Sequence, residues 1–444
     1  MTTAILNKAV KIFLLLFCCV TICIILNHLK NISRTFRDYR SFAEDDMTIT
    51  QNTIIEKLNL NGSCESAFAG NIVTVDINTP YLEDLIRTSA DKCALYRSSF
   101  GFDKSDASRE EKEFPLAYAI MAHNRFVQFV LMLSSFYESH NVFCISVPAN
   151  TNKQFAREMQ SLGDCFDNIH VIPVGNVSWC SYEIMRGTHG CMQYLIEEQP
   201  IQWKYLQYLS GVDVPLRTNL EMVRVLKEWN GISHTNVGPF DVRRYYKANK
   251  TNIPLPIHKS SLSSIIARDA AQVMVYNSKA KELMHFLKDT LCADESFWST
   301  VLGNPDFISI PGSFDGNKFY ALSKKYKGLR PSTKCKHYPC FTKGFVGRHQ
   351  VWSPPCYGRW TSGSCVFGVR DLASIIASPA FVAHKFYIEN EPAGLICMLR
   401  RINERRTHPD LQFDPTQYNH LPQIEFARWG SSENLTRLDL LAFM

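Results

Sequence analysis

Residues 12–29 contain no Asp, Glu, Lys or Arg, and residues 12–26 read IFLLLFCCVTICIIL. An uncharged run of this length predicts one membrane-spanning helix, at the short end of what crosses a bilayer. Lys8 and Lys11 precede it and Lys30, Arg34, Arg37 and Arg40 follow, so flanking charge does not decide its orientation. A cleaved signal peptide is the rival reading, but no small-residue cleavage pattern follows the run. Residues 30–60 are polar, charged and poor in aromatics, which predicts a stem.

Beyond residue 113 the apolar pattern alternates between two periods. PLAYAIMA (115–122), VFCISV (142–147) and IHVIPV (169–174) are short continuous apolar runs, as expected of strands buried on both faces. Between and after them, residues 125–137, 152–162 and 181–198 have helical spacing. Repeated strand–helix units predict an α/β fold with a mostly parallel central sheet. Such sheets bind ligands beyond the carboxyl ends of their strands, which puts His123, Asn124 and residues 146–150 at the expected ligand edge. Further helices are predicted over 218–229, opened by a Thr218/Glu221 capping box, and over 278–291 and 294–301. The stretch 304–368, rich in Gly, Pro and Cys, is expected to be loops pinned by disulfides.

Composition sharpens the compartment rather than the fold. Twelve of the fifteen cysteines lie beyond Cys23, and Asn-x-Ser/Thr sequons occur at Asn31, Asn61, Asn176, Asn249 and Asn434. An even set of cysteines with sequons points to an oxidising lumen, hence to a type II anchor whose shortness suits the thinner Golgi bilayer. Asn31 lies too near the membrane to be a good acceptor, which leaves Asn61, Asn176, Asn249 and Asn434. Cys18, Cys19 and Cys23 read as apolar filler or palmitoylation sites. The net charge of +6 is mild for 444 residues; it predicts no nucleic-acid role and is compatible with an anionic small substrate. The expected organisation is a tail (1–11), an anchor (12–29), a stem (30–60), a catalytic domain (61–400) and a C-terminal extension (401–444).

The segment WKYLQYLSGVDVPLRTNLE (203–221) resembles the β-1,6-N-acetylglucosaminyltransferases of the core-2/I-branching type, a family similar also to protein xylosyltransferases. FPLAYAIMAH (114–123), HKSSLSSIIARDAA (258–271), CADESFWSTV (292–301), CYGRWTSGSCVFGVRDL (356–372) and AHKF (383–386) extend the resemblance in one order. It covers about 64–397. It implies a GT-A-like nucleotide-sugar transferase domain, UDP-GlcNAc as donor, a glycoprotein glycan as acceptor, and transfer with inversion and without metal. The chain has no Asp-x-Asp, the motif with which many such transferases hold a divalent ion. The resemblance further implies the disulfides Cys64–Cys397, Cys93–Cys165, Cys144–Cys191 and Cys356–Cys365. Cys335 and Cys340 are close enough to pair, while Cys180 and Cys292 are either a fifth bridge or two thiols.

Transfer to a hydroxyl needs a base, a held sugar and charge stabilisation on departing UDP. The resemblance makes Glu295 the base, and apolar Phe297 and Trp298 beside it are expected to desolvate its carboxyl; the alternative is that Asp294 and Glu295 merely cap a helix. Lys385 falls at the position of a diphosphate-neutralising lysine, against a solvated surface lysine. Asp213 is either a nucleotide or sugar contact or a turn aspartate. The resemblance puts Trp179, Ser181, Tyr182 and Glu183 where relatives approach donor and acceptor, against ordinary core packing. Arg243 and Arg244 are placed to meet an acceptor glycan or form a solvated basic pair. Two positions depart from the family: Ser362 stands where a diphosphate-binding arginine is expected, with Arg359 or Arg370 as possible substitutes, and Pro148 replaces an aspartate facing the nucleotide. These departures leave three readings: a compensated transferase, one with another donor such as UDP-xylose or UDP-glucuronate, and a catalytically weak glycan-binding relative.

Overall fold

The computed structural model describes residues 53–104, 106–329 and 339–443. The expected tail, anchor and most of the stem, with Asn31 and Cys335, lie outside them. No described helix is long and apolar enough to cross a membrane. The described residues belong to one compact unit.

We number the elements that build the site: strands β1 (Leu116–Met121), β2 (Val142–Pro148), β3 (Ile169–Val174), β4 (Tyr205–Ser210), β5 (Asp213–Pro215), β6 (Ile265–Ala267), β7 (Arg359–Thr361), β8 (Ser364–Val366) and β9 (Val382–His384). The helices are α1 (Phe126–Phe136), α2 (Lys153–Gly163), α3 (Tyr182–Glu197), α4 (Asn219–Trp229), α5 (Arg268–Tyr276), α6 (Ser278–Leu287), α7 (Phe297–Leu302), α8 (Gly316–Lys325), α9 (Pro392–Thr407) and α10 (Pro422–Trp429). The central sheet runs β6–β4–β1–β2–β3, with β4, β1, β2 and β3 parallel and β6 antiparallel at the edge.

Every residue of β1 and β2 is buried, and strand alternation divides them between two cores. Leu116, Tyr118 and Ile120 pack with Phe129 and Leu133 of α1 and with Phe155 and Met159 of α2. Ala117 and Ala119 pack on the opposite face with Met185, Met192 and Leu195 of α3 and with α5, α6 and α7. Thr218 and Glu221 form the expected capping box of α4. All four disulfides implied by the resemblance are present, together with Cys180–Cys292. Cys340 is also disulfide-bonded.

Several expectations are corrected. The stretch expected to be loops holds α8, capped by Asp315, and the Cys356–Cys365 loop is a β7–β8 hairpin. Its two-residue turn, Ser362–Gly363, has φ of +50° and +76°, the conformation that matches strand twist and favours glycine. The folded unit begins inside the expected stem: Arg400 donates to the carbonyls of Ile55 and Leu58. Nor does it end at residue 400. Helix α9 runs through that boundary, Arg405 pairs with Glu221 in the interior, and Tyr418 is fully buried. The helix expected over 294–301 is a short 3-10 turn, Ala293–Glu295, followed by α7.

Candidate active site

The carboxyl ends of β1, β2, β3 and β4 deliver His123–Arg125, Pro148–Asn150, Gly175–Cys180 and Ser210–Asp213 to one edge of the sheet. Two groups of side chains assemble there, one basic and one acidic.

The basic group is built around the irregular segment that follows β9. Lys385 is 5% exposed, and its Nζ donates to the carbonyl of Thr361 at 2.8 Å, beside the Ser362 turn. Desolvation, then Arg125, holds its ammonium below the usual lysine range. Arg125, in the left-handed region at the start of α1, stacks 4.0 Å from the Tyr387 ring centroid and grips Glu389 through Nε at 2.9 and 3.0 Å. Gln128 of α1 fixes the same segment, donating to Phe386 O and accepting from Ile388 N–H. Arg359 is exposed on β7 and helps hold Glu389 below the usual carboxylate range, a shift that burial opposes and Arg125 dominates. It lines a cleft of about 270 Å³ with Glu389. His123 is exposed at the same edge and is held low by partial desolvation and by Arg125. Ser362 is exposed at the hairpin tip. Arg370 lines a neighbouring cleft of about 370 Å³ against residues 72–75.

Asp213 is 0% exposed, so the reading as a ligand contact gives way to a structural one. Its carboxylate accepts from Ser210 N–H at 2.5 Å, His384 Nδ1 at 2.8 Å and Arg348 Nη2 at 3.4 Å. Burial alone would raise its pKa, but Arg348 and His384 hold it below the ordinary carboxylate range. Because β5 pairs with β9 at Asp213–His384, this buried knot sets the place of the next residue, Lys385.

The acidic group sits on the Cys180–Cys292 bridge, where Cys292 N–H also donates to Cys180 O. Asn150 exchanges two 3.0 Å bonds with Val177 and so fixes the approach to Trp179. Trp179 is 86% exposed, which rules out core packing. The carboxylate of Glu295 is held through Oε2 alone, by Arg244 at 2.6 Å and Lys259 at 3.3 Å. Its Oε1 accepts no hydrogen bond from the described residues. The expected desolvation falls on the wrong neighbour: the 3-10 turn buries Asp294, at 8% exposure, and leaves Glu295 partly open. Asp294 Oδ1 has no partner among the described residues, and burial, reinforced by Glu295, pushes its pKa up to about 7. Neither carboxylate caps a helix; α7 begins at Ser296 without a side-chain cap.

Other expected residues divide. Tyr182 is half-buried at the start of α3. Glu183 is taken up by Arg186 of the same helix at 2.6 Å. Arg243, 88% exposed and forked onto Asp241, is a solvated turn residue, whereas Arg244 reaches Glu295. Sequence reasoning missed Arg125, Tyr387, Glu389, Arg348, His384 and Lys259, and left Arg244 in a solvated pair. Their only signal was proximity to quoted segments: Arg125 lies two residues after His123, His384 precedes Lys385, and Lys259 lies in HKSSLSS.

The model of the Core-2/I-Branching enzyme family matches residues 116–311, from β1 through Glu295 and α7. The chain carries a core-2/I-branching enzyme domain. That family is one of glycosyltransferases, and the protein is an enzyme of that kind. The bovine β-1,3-galactosyl-O-glycosyl-glycoprotein β-1,6-N-acetylglucosaminyltransferase is 28% identical over 336 residues, 71% of this chain and 75% of its own. The human enzyme of the same name is 27% identical over 335 residues, covering 71% and 76%. The human enzyme numbered 3 is 25% identical over 351 residues, covering 75% and 78%. Within the matched branching-enzyme domain lie Glu295, Asp213 and Arg125; Lys385, Tyr387 and Glu389 come from the chain beyond it.

The raised pKa of Asp294 gives the branching-enzyme domain a signed pH dependence. A folded-state pKa raised from 3.8 to about 7 means that its contribution is complete at acid pH and is lost as pH rises through 7. Asp294→Asn removes that loss. Its melting temperature should exceed that of the wild type by more at pH 8 than at pH 5, read by differential scanning fluorimetry; an equal gap at both pH values would overturn the assignment.

Proposed function

We propose that this protein transfers GlcNAc from UDP-GlcNAc in β-1,6 linkage onto an O-glycan of the core-2 type or a related glycoprotein acceptor. Transfer inverts the anomeric centre and needs no metal, and the protein works as a single-pass type II Golgi membrane protein with a lumenal catalytic domain. The observation that carries the reading is Glu295: two cations hold one carboxylate oxygen, and the other is left for an acceptor hydroxyl. Glu295 Oε1 takes the hydroxyl proton as the acceptor oxygen attacks the anomeric carbon and UDP departs. Trp179 offers an open aromatic face to a sugar or uracil ring, and Tyr182 lies close by in sequence. Lys385 neutralises the diphosphate, with Arg359 and His123 at the same edge. The described disulfides and the exposure of Asn61, Asn176, Asn249 and Asn434 support a secretory lumen.

A second reading, the same fold with UDP-xylose or UDP-glucuronate, is favoured by Ser362 and Pro148. One experiment separates them: UDP release by the purified protein across donors, with and without EDTA, in the presence of O-glycan acceptors. The expected result is acceptor-dependent turnover of UDP-GlcNAc that survives EDTA. Turnover of another UDP-sugar in its place would favour the second reading, and loss in EDTA would overturn the metal-free step.

A further inference from the structure

We infer that Arg125 supplies the second cation of the diphosphate site, held ready by Glu389 and Tyr387, an inference that rests on the UDP-sugar reading above. The hairpin tip beside Lys385 bears Ser362, which has no charge to offer. An alternative comes from a different element. Arg125 and Lys385 share the Tyr387 ring, at 4.0 and 5.5 Å from its centroid, and Arg125 helps depress the pKa of both Lys385 and His123. Two like charges held together in a partly buried site cost free energy unless something anionic joins them. Glu389 meets part of that need by gripping Nε and Nη2 of Arg125, while Nη1 turns to Asn124 at 3.1 Å.

The surroundings point the same way. Arg125 is the residue from which α1 starts, and no side chain caps that helix, so its first-turn N–H groups and its dipole face the same edge as the two cations. Helix start, guanidinium and ammonium together make a site for a dianion rather than for a neutral sugar. The clamp on Arg125 is unusually complete for an arginine that remains partly exposed: Tyr387 stacks on one face of the guanidinium and Glu389 holds one edge. Gln128, one turn along the same helix, locks the segment that bears Tyr387. A phosphate oxygen is recognised by the remaining N–H groups of a guanidinium already aimed, with little rotamer entropy left to lose.

The test is a titration of the purified full chain with UDP and with uridine. Arg125→Gln should weaken UDP binding tenfold or more while uridine affinity stays within twofold, because only the phosphates meet Arg125. Ser362→Arg placed in the Arg125→Gln background should restore at least half of the lost factor, since position 362 adjoins the carbonyl that holds Lys385. If Arg125→Gln does not fold, Arg125→Lys keeps the charge and loses the two-point grip, and the ratio of UDP to uridine affinity should fall severalfold. Unchanged UDP affinity in these variants, or equal losses for UDP and uridine, overturns the role of Arg125 alone. A wild-type chain that binds no UDP overturns the donor reading and this inference with it.

Discussion

Glu295→Gln should lower the rate of sugar transfer by about 10²–10⁴-fold, the usual contribution of a positioned general base, the role proposed for it above, while UDP affinity should stay within twofold. The amide keeps the size of the side chain and can still present an oxygen to Arg244 and Lys259, so the 3-10 turn and the disulfide beneath it should be undisturbed. What it cannot do is take a proton. The loss should therefore fall on kcat rather than on KM. Asp294 does not substitute, because it is buried behind the turn rather than open to the acceptor. Arg244→Gln is the companion variant: it releases Oε2 without removing the base, and should raise KM for the acceptor more than it lowers kcat. A Glu295→Gln enzyme of normal rate would remove Glu295 as the base, and a loss shared equally with UDP binding would mean a damaged fold.

The sheet was legible because its strands are buried on both faces. Continuous apolar runs placed β1, β2 and β3 within about a residue of their ends, and helical spacing did the same for α1 to α4. Helix α8 escaped because its amphipathic ten residues sit in a stretch whose Gly, Pro and Cys content dominates the reading. Of the candidate site, Glu295, Lys385, His123, Arg359 and Trp179 were legible in the sequence. The rest is made by pairs far apart in the chain: Arg125 and Glu389 are 264 residues apart, Asp213 and His384 are 171 apart. Local pattern holds no record of such partners. The error over Asp294 and Glu295 has a different source. The expectation rested on the apolar neighbours Phe297 and Trp298, whereas the 3-10 turn Ala293–Glu295 ahead of α7 sends Asp294 inward instead.

Asp213→Ala should destabilise the fold by about 3–5 kcal/mol, the usual result of removing one partner from a buried ion pair. The magnitude follows from what stays behind. Arg348 is nearly enclosed and its Nε has no partner among the described residues, and His384 Nδ1 would keep only Ser210 Oγ at 3.3 Å. Asp213→Asn preserves the shape and removes only the charge, so it separates electrostatics from the cavity. The pH dependence has a definite sign. A carboxyl held below its ordinary 3.8 contributes stability that is complete above that value and is lost as pH falls through the folded value. The gap between wild type and Asp213→Asn, measured by urea unfolding, should thus be level from pH 8 to 5 and narrow only below about pH 4. Because Asp213 pairs with His384 across β5 and β9, the same variants should displace Lys385 and weaken UDP binding even where they remain folded. A folded Asp213→Asn protein with unaltered UDP affinity would show that the buried knot holds the sheet but does not aim the lysine.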